Sequence, residues 1–407
     1  MDCGGKGLVR PGPDFPEIGG LLFRMGMESF FSGLYRHAVH VPGVRRVKRI
    51  LTGESGVFSR YVPPVGRPAD RGSAPNTWAP EALQRRYEAA GLDSEPDTFV
   101  LYRIIGNDLA PRHRKGQSAE NLAFILENEP VPEGCEKRFV VNRIVDGEAE
   151  AGIIRMLEEA GMGYIRIPFE WEAYQRVGWD EKSIPGRYAP GSKEFDRLDL
   201  RQQERILMAY YRLKNNYAIN NNGARNAALR DGKAGAKWVM PWDGNCFLTA
   251  KGWAEIREAV RLRPEVPYYL VPMARIRDNR RLLEPGFRPE AADEPQVIFR
   301  KDTTDEFDET RYYGRRPKVE LFWRLGVSGR WDYWEIEPWD LPIPAYSDDA
   351  GAYAFAGWVA RLFSGNAWME GADSVVAERN RCVARNRAIK EFIDMLDRRA
   401  SGGGFDT

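Results

Sequence analysis

Asp243, Gly244 and Asn245 close the apolar run Trp238-Val-Met-Pro-Trp242, which reads as a buried strand. A carboxylate on the last residue of such a strand can hold a divalent cation at the lip of an open α/β sheet, where ligands bind. Hard cations such as Mg²⁺ and Mn²⁺ take oxygen donors and keep phosphate oxygens and waters as their remaining ligands. Upstream, Arg225 and Asn226 lie in Gly223-Ala-Arg-Asn-Ala-Ala-Leu229, a polar entry into a helical pattern. They offer donors for a phosphate or a sugar hydroxyl, and a guanidinium can grip phosphate through two hydrogen bonds. Together these residues point to chemistry on a nucleotide-linked sugar. The competing reading is an Asp-Gly turn, with Asn245 bonding its own backbone, Asn222 capping the helix and Arg225 in solvent.

Trp331, Trp334 and Trp339 fall among acids and prolines in a loop-like stretch. Flat rings at an open site stack on sugar faces, so this cluster is assigned acceptor contacts, against the alternative that large aromatics belong to the core.

Other chemistries find less support. The three histidines, His37, His40 and His113, all lie in the first third, which disfavours a Ser/His/Asp hydrolase or an imidazole-rich metal site. The four cysteines form no CxxC and suit a reducing compartment. No GxGxxG follows a strand and no P-loop is present. The formal charge of +1 gives no reason to expect nucleic acid as a partner. No apolar run reaches bilayer length and the N-terminus does not read as a signal peptide, so a cytoplasmic location is expected.

The elements that must position these groups alternate along the chain. Residues 1–76 read as a tail and linker, rich in Gly and Pro at both ends. Within them, an apolar stretch over 21–35 precedes Arg36, Arg45, Arg46, Lys48 and Arg49. Such a pair suits peripheral contact of residues 21–49 with the inner face of a membrane, or a helix packed on the main domain with a solvated connector. Strands are expected at Thr98–Ile105, Lys137–Val145 and Tyr164–Pro168, with helices at Gln117–Asn128 and Glu148–Ala160 between them. This βαβαβ order implies a parallel sheet covered by helices. A helix over Leu198–Lys214, the strand ending at Asp243, a helix over Gly252–Leu262 and strands at Tyr268–Ile276 and Pro295–Phe299 follow. Helices at Asp349–Phe363 and Asp373–Leu396 complete the pattern. The division expected is 1–76, 77–300 and 301–407, the last holding the acceptor side and the C-terminal helices.

The order of elements, with "GARNAAL" before "WVMPWDGNCF", resembles the GT-A glycosyltransferases over roughly Thr98 to Leu262. The resemblance implies an α/β, GT-A-like (Rossmann-like), mostly parallel sheet flanked by helices, with N-terminal and C-terminal helical additions. It implies an enzyme moving a sugar from a nucleotide-sugar donor to a hydroxyl acceptor, most simply a glycan. Asp243-Gly-Asn245 stands where that family carries its DXD motif, so Asp243 and Asn245 would hold Mn²⁺ or Mg²⁺ on the donor diphosphate. Arg225 and Asn226 would reach the donor, and Arg103, Asn107 and Asp108 would form the nucleotide-binding edge. An acidic pair opening a helix near the acceptor supplies the base in related members, which assigns Asp349, with Asp348 beside it. Asp302, Asp305 and Glu320 are the reserves. Members that use a metal commonly add a histidine downstream of the motif, and none follows His113 here. Asp302 would substitute, or Asp243 would act alone, or the site would work without metal. Two other classes stay open: a sugar-phosphate nucleotidyltransferase of similar fold, and a carbohydrate-binding protein without turnover.

Overall fold

Phe99–Ile105 (β1) is apolar at every position except Arg103, because both faces of this strand are covered. The computed structural model describes residues 78–329, 339–363 and 374–402. Its further strands are β2 (Cys135–Asn142), β3 (Gly163–Ile167), β4 (Trp238–Asp243), β5 (Cys246–Phe247), β6 (Tyr268–Arg275), β7 (Asp293–Arg300), β8 (Tyr353–Phe355) and β9 (Val359–Arg361). The helices before β4 are α1 (Pro80–Ala89), α2 (Gln117–Asn128), α3 (Gly147–Glu159), α4 (Trp171–Gln175), α5 (Lys193–Arg197), α6 (Leu200–Tyr210), α7 (Arg212–Ile219) and α8 (Asn221–Gly235). After it come α9 (Ala250–Leu262), α10 (Val319–Arg324) and α11 (Ser374–Ala400).

The fold is α/β, with one sheet in the order β3-β2-β1-β4-β7-β6-β9-β5 and β8 alongside β6. Strands β3, β2, β1 and β4 run parallel. β7 runs antiparallel to both β4 and β6, and β5 antiparallel to β9. The sheet is therefore mixed, which corrects the expectation of a mostly parallel one. The connection over 276–292 holds no α-helix, only a 3-10 turn at Asn279–Leu283, and β7 returns antiparallel beside β6 without a crossover helix packed on the sheet.

Side chains of β1 and β4 alternate between two cores. Phe99, Leu101, Trp238, Met240 and Trp242 pack with Trp253, Ile256 and Val260 of α9. Val100, Tyr102 and Val239 pack on the other face with Ala224, Ala228 and Leu229 of α8 and with Leu321 and Phe322 of α10. Fully burying each large side chain contributes about 1.5–3 kcal/mol. Sequence beyond residue 300 supplies β8 and β9 to the same sheet.

Pro241 lies inside β4, where a proline would normally break a ladder. It is tolerated because β4 pairs with β7 only at Trp238 and Val239. The Trp238 amide points to β1, donating to the Thr98 carbonyl, so alternation turns the missing donor at 241 toward β7, where pairing has ended. β4 and β7 thus splay apart toward the carboxyl end of β4. The Trp242 indole, donating to the Val297 carbonyl at 2.9 Å, fills the upper part of the gap.

Two helix expectations change. Asp349–Phe363 forms turns and the short strands β8 and β9. Gly351 and Gly357 adopt positive φ of 86° and 48°, values a continuing helix does not admit. The stretch Leu198–Lys214 is two helices, α6 and α7, broken at Tyr211.

Contacts divide the chain into two units. Val62–Pro185 and Glu204–Thr407 hold the sheet. In the other, which includes Gly186–Gln203, Ser192 caps α5 by accepting from the Phe195 amide at 3.1 Å. Among the described residues no helix is long and apolar enough to cross a membrane. The basic and apolar segment 21–49 lies outside them.

Candidate functional site

Chain order in the sheet reverses between β1 and β4, since β2 and β3 lie on one side of β1 and β4 on the other. The crevice outside the carboxyl ends of strands at such a reversal is where open α/β sheets bind ligands. Gly106-Asn107-Asp108 leave β1 there and Asp243-Gly244-Asn245 leave β4. Gly244 is required by proximity, because a Cβ at this position would lie 2.3 Å from the Ile104 carbonyl oxygen of β1. Asn245 is half-buried, its carbonyl accepting from the Leu362 amide at 2.9 Å and tying the turn to the end of β9.

Asp243 is the centre of a charged group drawn from four parts of the chain. Arg225, in the first turns of α8, donates from a terminal guanidinium nitrogen to Oδ1 at 2.7 Å. Gln296 of β7 donates from Nε2 to Oδ2 at 3.0 Å. Lys318, just before α10, places Nζ 3.7 Å from Oδ2 and 3.2 Å from Glu294 Oε1. The aspartate side chain is 29% exposed, whereas those of Arg225 and Lys318 are 6% and 4% exposed. Burial alone would raise the carboxyl pKa; Lys318, Arg225 and Gln296 outweigh it and hold the group well below the usual carboxylate range. Asp243 is therefore ionised throughout the physiological range.

This arrangement does not fit a divalent cation at Asp243. Oδ1 is engaged by Arg225, and Oδ2 by Gln296 with Lys318 close by. A doubly charged ion there would have to compete with two fixed side-chain cations for a carboxylate whose charge they already meet, and would be repelled by both. Among the described residues, no three His, Cys, Asp or Glu side chains converge as a ligand set.

More positive charge stands around the same lip. Arg361 closes β9, level with Cys246 on one side and Arg275 on the other. Arg112, in the loop after β1, is buried; burial first, then the neighbouring charges of Arg361 and Arg385, lower its pKa. His113 beside it is pushed down to about 3 by burial, with Arg112 and Arg361 adding to the effect. It is a neutral ring whose Nδ1 accepts from the Leu109 amide at 3.2 Å.

Other residues singled out in the sequence are hydrogen-bonded within the protein. Asn107 joins the ends of β1 and β2, donating to the Arg143 carbonyl at 2.7 Å and accepting from the Val145 amide at 2.9 Å. Asp108 accepts from the Ser118 amide at 3.0 Å and hydroxyl at 2.7 Å, steadying the start of α2. Asn226 exchanges hydrogen bonds with the backbone of Phe307 at 2.9 Å and donates to Glu309 at 2.9 Å. Asn222 does not cap α8; it donates to the carbonyls of Asp308 and Pro317 and accepts from Arg225 at 2.8 Å.

Several other assignments are buried or lie away from the lip. Arg103 is 0% exposed, ion-paired with Glu129 and donating to the Cys246 carbonyl at 2.8 Å, so its charge is spent in the interior. Asp349 is buried against Arg86 and accepts from the Tyr268 hydroxyl at 2.9 Å. Tyr268 is level with Phe299 and hence with Val239, so Asp349 belongs to the amino end of β4. Val239 and Asp243 are four strand residues apart, about 13 Å. Asp302 and Asp305 are at that same end, paired with Arg300 and Arg324. Asp348 is exposed. Glu320 is fully buried, bound to Arg324 at 2.9 Å. Trp339 is 1% exposed and cannot offer a ring face to a ligand. Trp331 and Trp334 lie outside the described residues.

Lys318, Gln296, Glu294, Arg112 and Arg361 are absent from the sequence-based set. Their positions are separated by tens of residues and carry no motif. Pro241 inside an otherwise strand-like run was the one local sign that β4 opens here. Comparison with known protein families and with curated proteins found no match for this chain.

Proposed function

We propose that the chain is a glycosyltransferase that moves a sugar from a nucleotide-sugar donor to a hydroxyl acceptor, with the donor diphosphate at the lip between β1 and β4. The observation that carries this reading is the coincidence of the strand-order reversal with the Arg225–Asp243–Lys318 group. A doubly wound half-sheet brings backbone and side-chain donors to this crevice, and the arginines around it, Arg112 and Arg361 among them, suit a phosphate-bearing ligand.

In such a transfer the bond between the anomeric carbon and the diphosphate oxygen breaks, and its electron pair leaves on the phosphate. The acceptor oxygen bonds the anomeric carbon and gives its proton to a base. Positive groups fixed beside the diphosphate stabilise the charge that builds there. Asp349 and Asp348 are not given the base role, because Asp349 belongs to the other end of β4.

The test is release of nucleoside diphosphate from a panel of nucleotide sugars, with Mn²⁺, with Mg²⁺ and with chelator. Slow hydrolysis of one donor, lost in Asp243→Ala, is the expected result. Pyrophosphate formation from a sugar phosphate and a nucleoside triphosphate would favour a nucleotidyltransferase instead. Saturable glycan binding with neither reaction would favour a binding protein.

A further inference from the structure

We infer that the chain's own fixed cations, Arg225 and Lys318, take the diphosphate at the position where a divalent ion would otherwise stand. This rests on the proposed donor site and adds to it a statement about how the anion's charge is met. The two oxygens of Asp243 are occupied by Arg225 and Gln296, with Lys318 3.7 Å away. A carboxylate so engaged is a poor metal ligand and a good orienting group: it fixes two cations side by side at the crevice.

Arg225 gives one N–H from each terminal nitrogen to Asn222 and to Asp243, so its remaining terminal N–H groups are the donors for an incoming anion; its Nε is buried and out of a ligand's reach. Lys318 carries three N–H groups and stands beside two carboxylates, Glu294 at 3.2 Å and Asp243 at 3.7 Å. The Arg225 side chain is 6% exposed and that of Lys318 is 4% exposed, so both are already fixed in place and present only a narrow edge to a ligand, beside the more exposed Asp243. Asp243 is thus a positioning residue for the two cations. Glu294 adds oxygen atoms, but a metal held by it would face Lys318 directly.

The experiment is calorimetric titration of the full chain, stripped of metal, with inorganic pyrophosphate in chelator, in Mg²⁺ and in Mn²⁺. Free Mn²⁺ is followed separately by its electron paramagnetic resonance signal. Expected are binding in chelator that added metal does not strengthen, and no uptake of Mn²⁺ by the protein alone. Lys318→Met should weaken pyrophosphate by at least about tenfold and Lys318→Arg by much less. Binding that appears only with Mg²⁺ or Mn²⁺, or Mn²⁺ uptake that Asp243→Asn removes, would overturn the inference while leaving a diphosphate site in place. Undiminished binding by a folded Lys318→Met protein would remove Lys318 from it. No binding under any metal condition would overturn both this inference and the proposed donor site. The wild-type comparison decides the metal question even if Lys318→Met fails to fold.

Discussion

Arg225 donates to Asp243 at 2.7 Å, linking the first turns of α8 to the last residue of β4. α8 leads directly into β4, so the ion pair closes the two ends of one helix–strand unit across the carboxyl edge of the sheet. Lys318, from a segment much later in the chain, reaches the same carboxylate from the β7 side. The pair therefore steadies the local unit and the edge of the crevice at the same time.

Asp243→Asn tests that relationship. The amide keeps the shape but leaves two buried cations short of a counter-charge, a loss of about 2–3 kcal/mol after allowance for the partly exposed carboxylate. The native carboxyl pKa lies below its unfolded value, so the unfolded state binds the proton first as pH falls. The stabilisation is thus present above about pH 4 and fades below it. Urea unfolding of wild type and variant should show a gap near neutrality that narrows in acid.

Gly244→Ala should disturb the same edge through sterics alone. Its Cβ would meet the Ile104 carbonyl oxygen at 2.3 Å, a backbone atom that cannot swing away. Separating β1 from the turn costs about 1–3 kcal/mol or more. The readout is a lower unfolding midpoint, together with weaker binding of pyrophosphate as Asp243 moves.

His113 should make stability depend on pH between the neutral range and about pH 5. Its native pKa of about 3 lies below an unfolded value near 6.5, so the unfolded chain takes up a proton that the native ring refuses. Stability contributed by the neutral ring is complete above about pH 6.5 and falls by up to about 2 kcal/mol on reaching pH 5. In His113→Asn the denaturation midpoint should change less over that interval. An equal change in both proteins would assign the acid sensitivity elsewhere.

Asp349→Asn separates a structural role from a catalytic one. The variant loses the charged partner of Arg86 and weakens the contact with the Tyr268 hydroxyl, lowering stability by about 1–3 kcal/mol. Pyrophosphate affinity should be unchanged, and so should slow donor hydrolysis measured below the melting transition. A large fall in transfer rate by folded protein would return Asp349 to the reacting groups.

By itself the sequence determined the parts whose causes are local. Alternating apolar runs and helical periods gave β1, β2, β3 and β4 together with α2, α3, α9 and α11, because periodicity, caps and burial act over a few residues. It also determined that Asp243 and Arg225 belong at the ends of adjoining elements. Tertiary structure alone decided that β7 inserts antiparallel between β4 and β6, and that Arg103 turns inward to Glu129. Only the fold, too, placed Asp349 at the amino end of β4 and brought Lys318 and Gln296 to Asp243. Those outcomes depend on which distant segments pair and pack, and a charged residue reads the same in the chain whether its partner is a ligand, a cation or another side chain. What surrounds a carboxylate in three dimensions, not its place in a short motif, sets the charge it can hold and the ion it can accept.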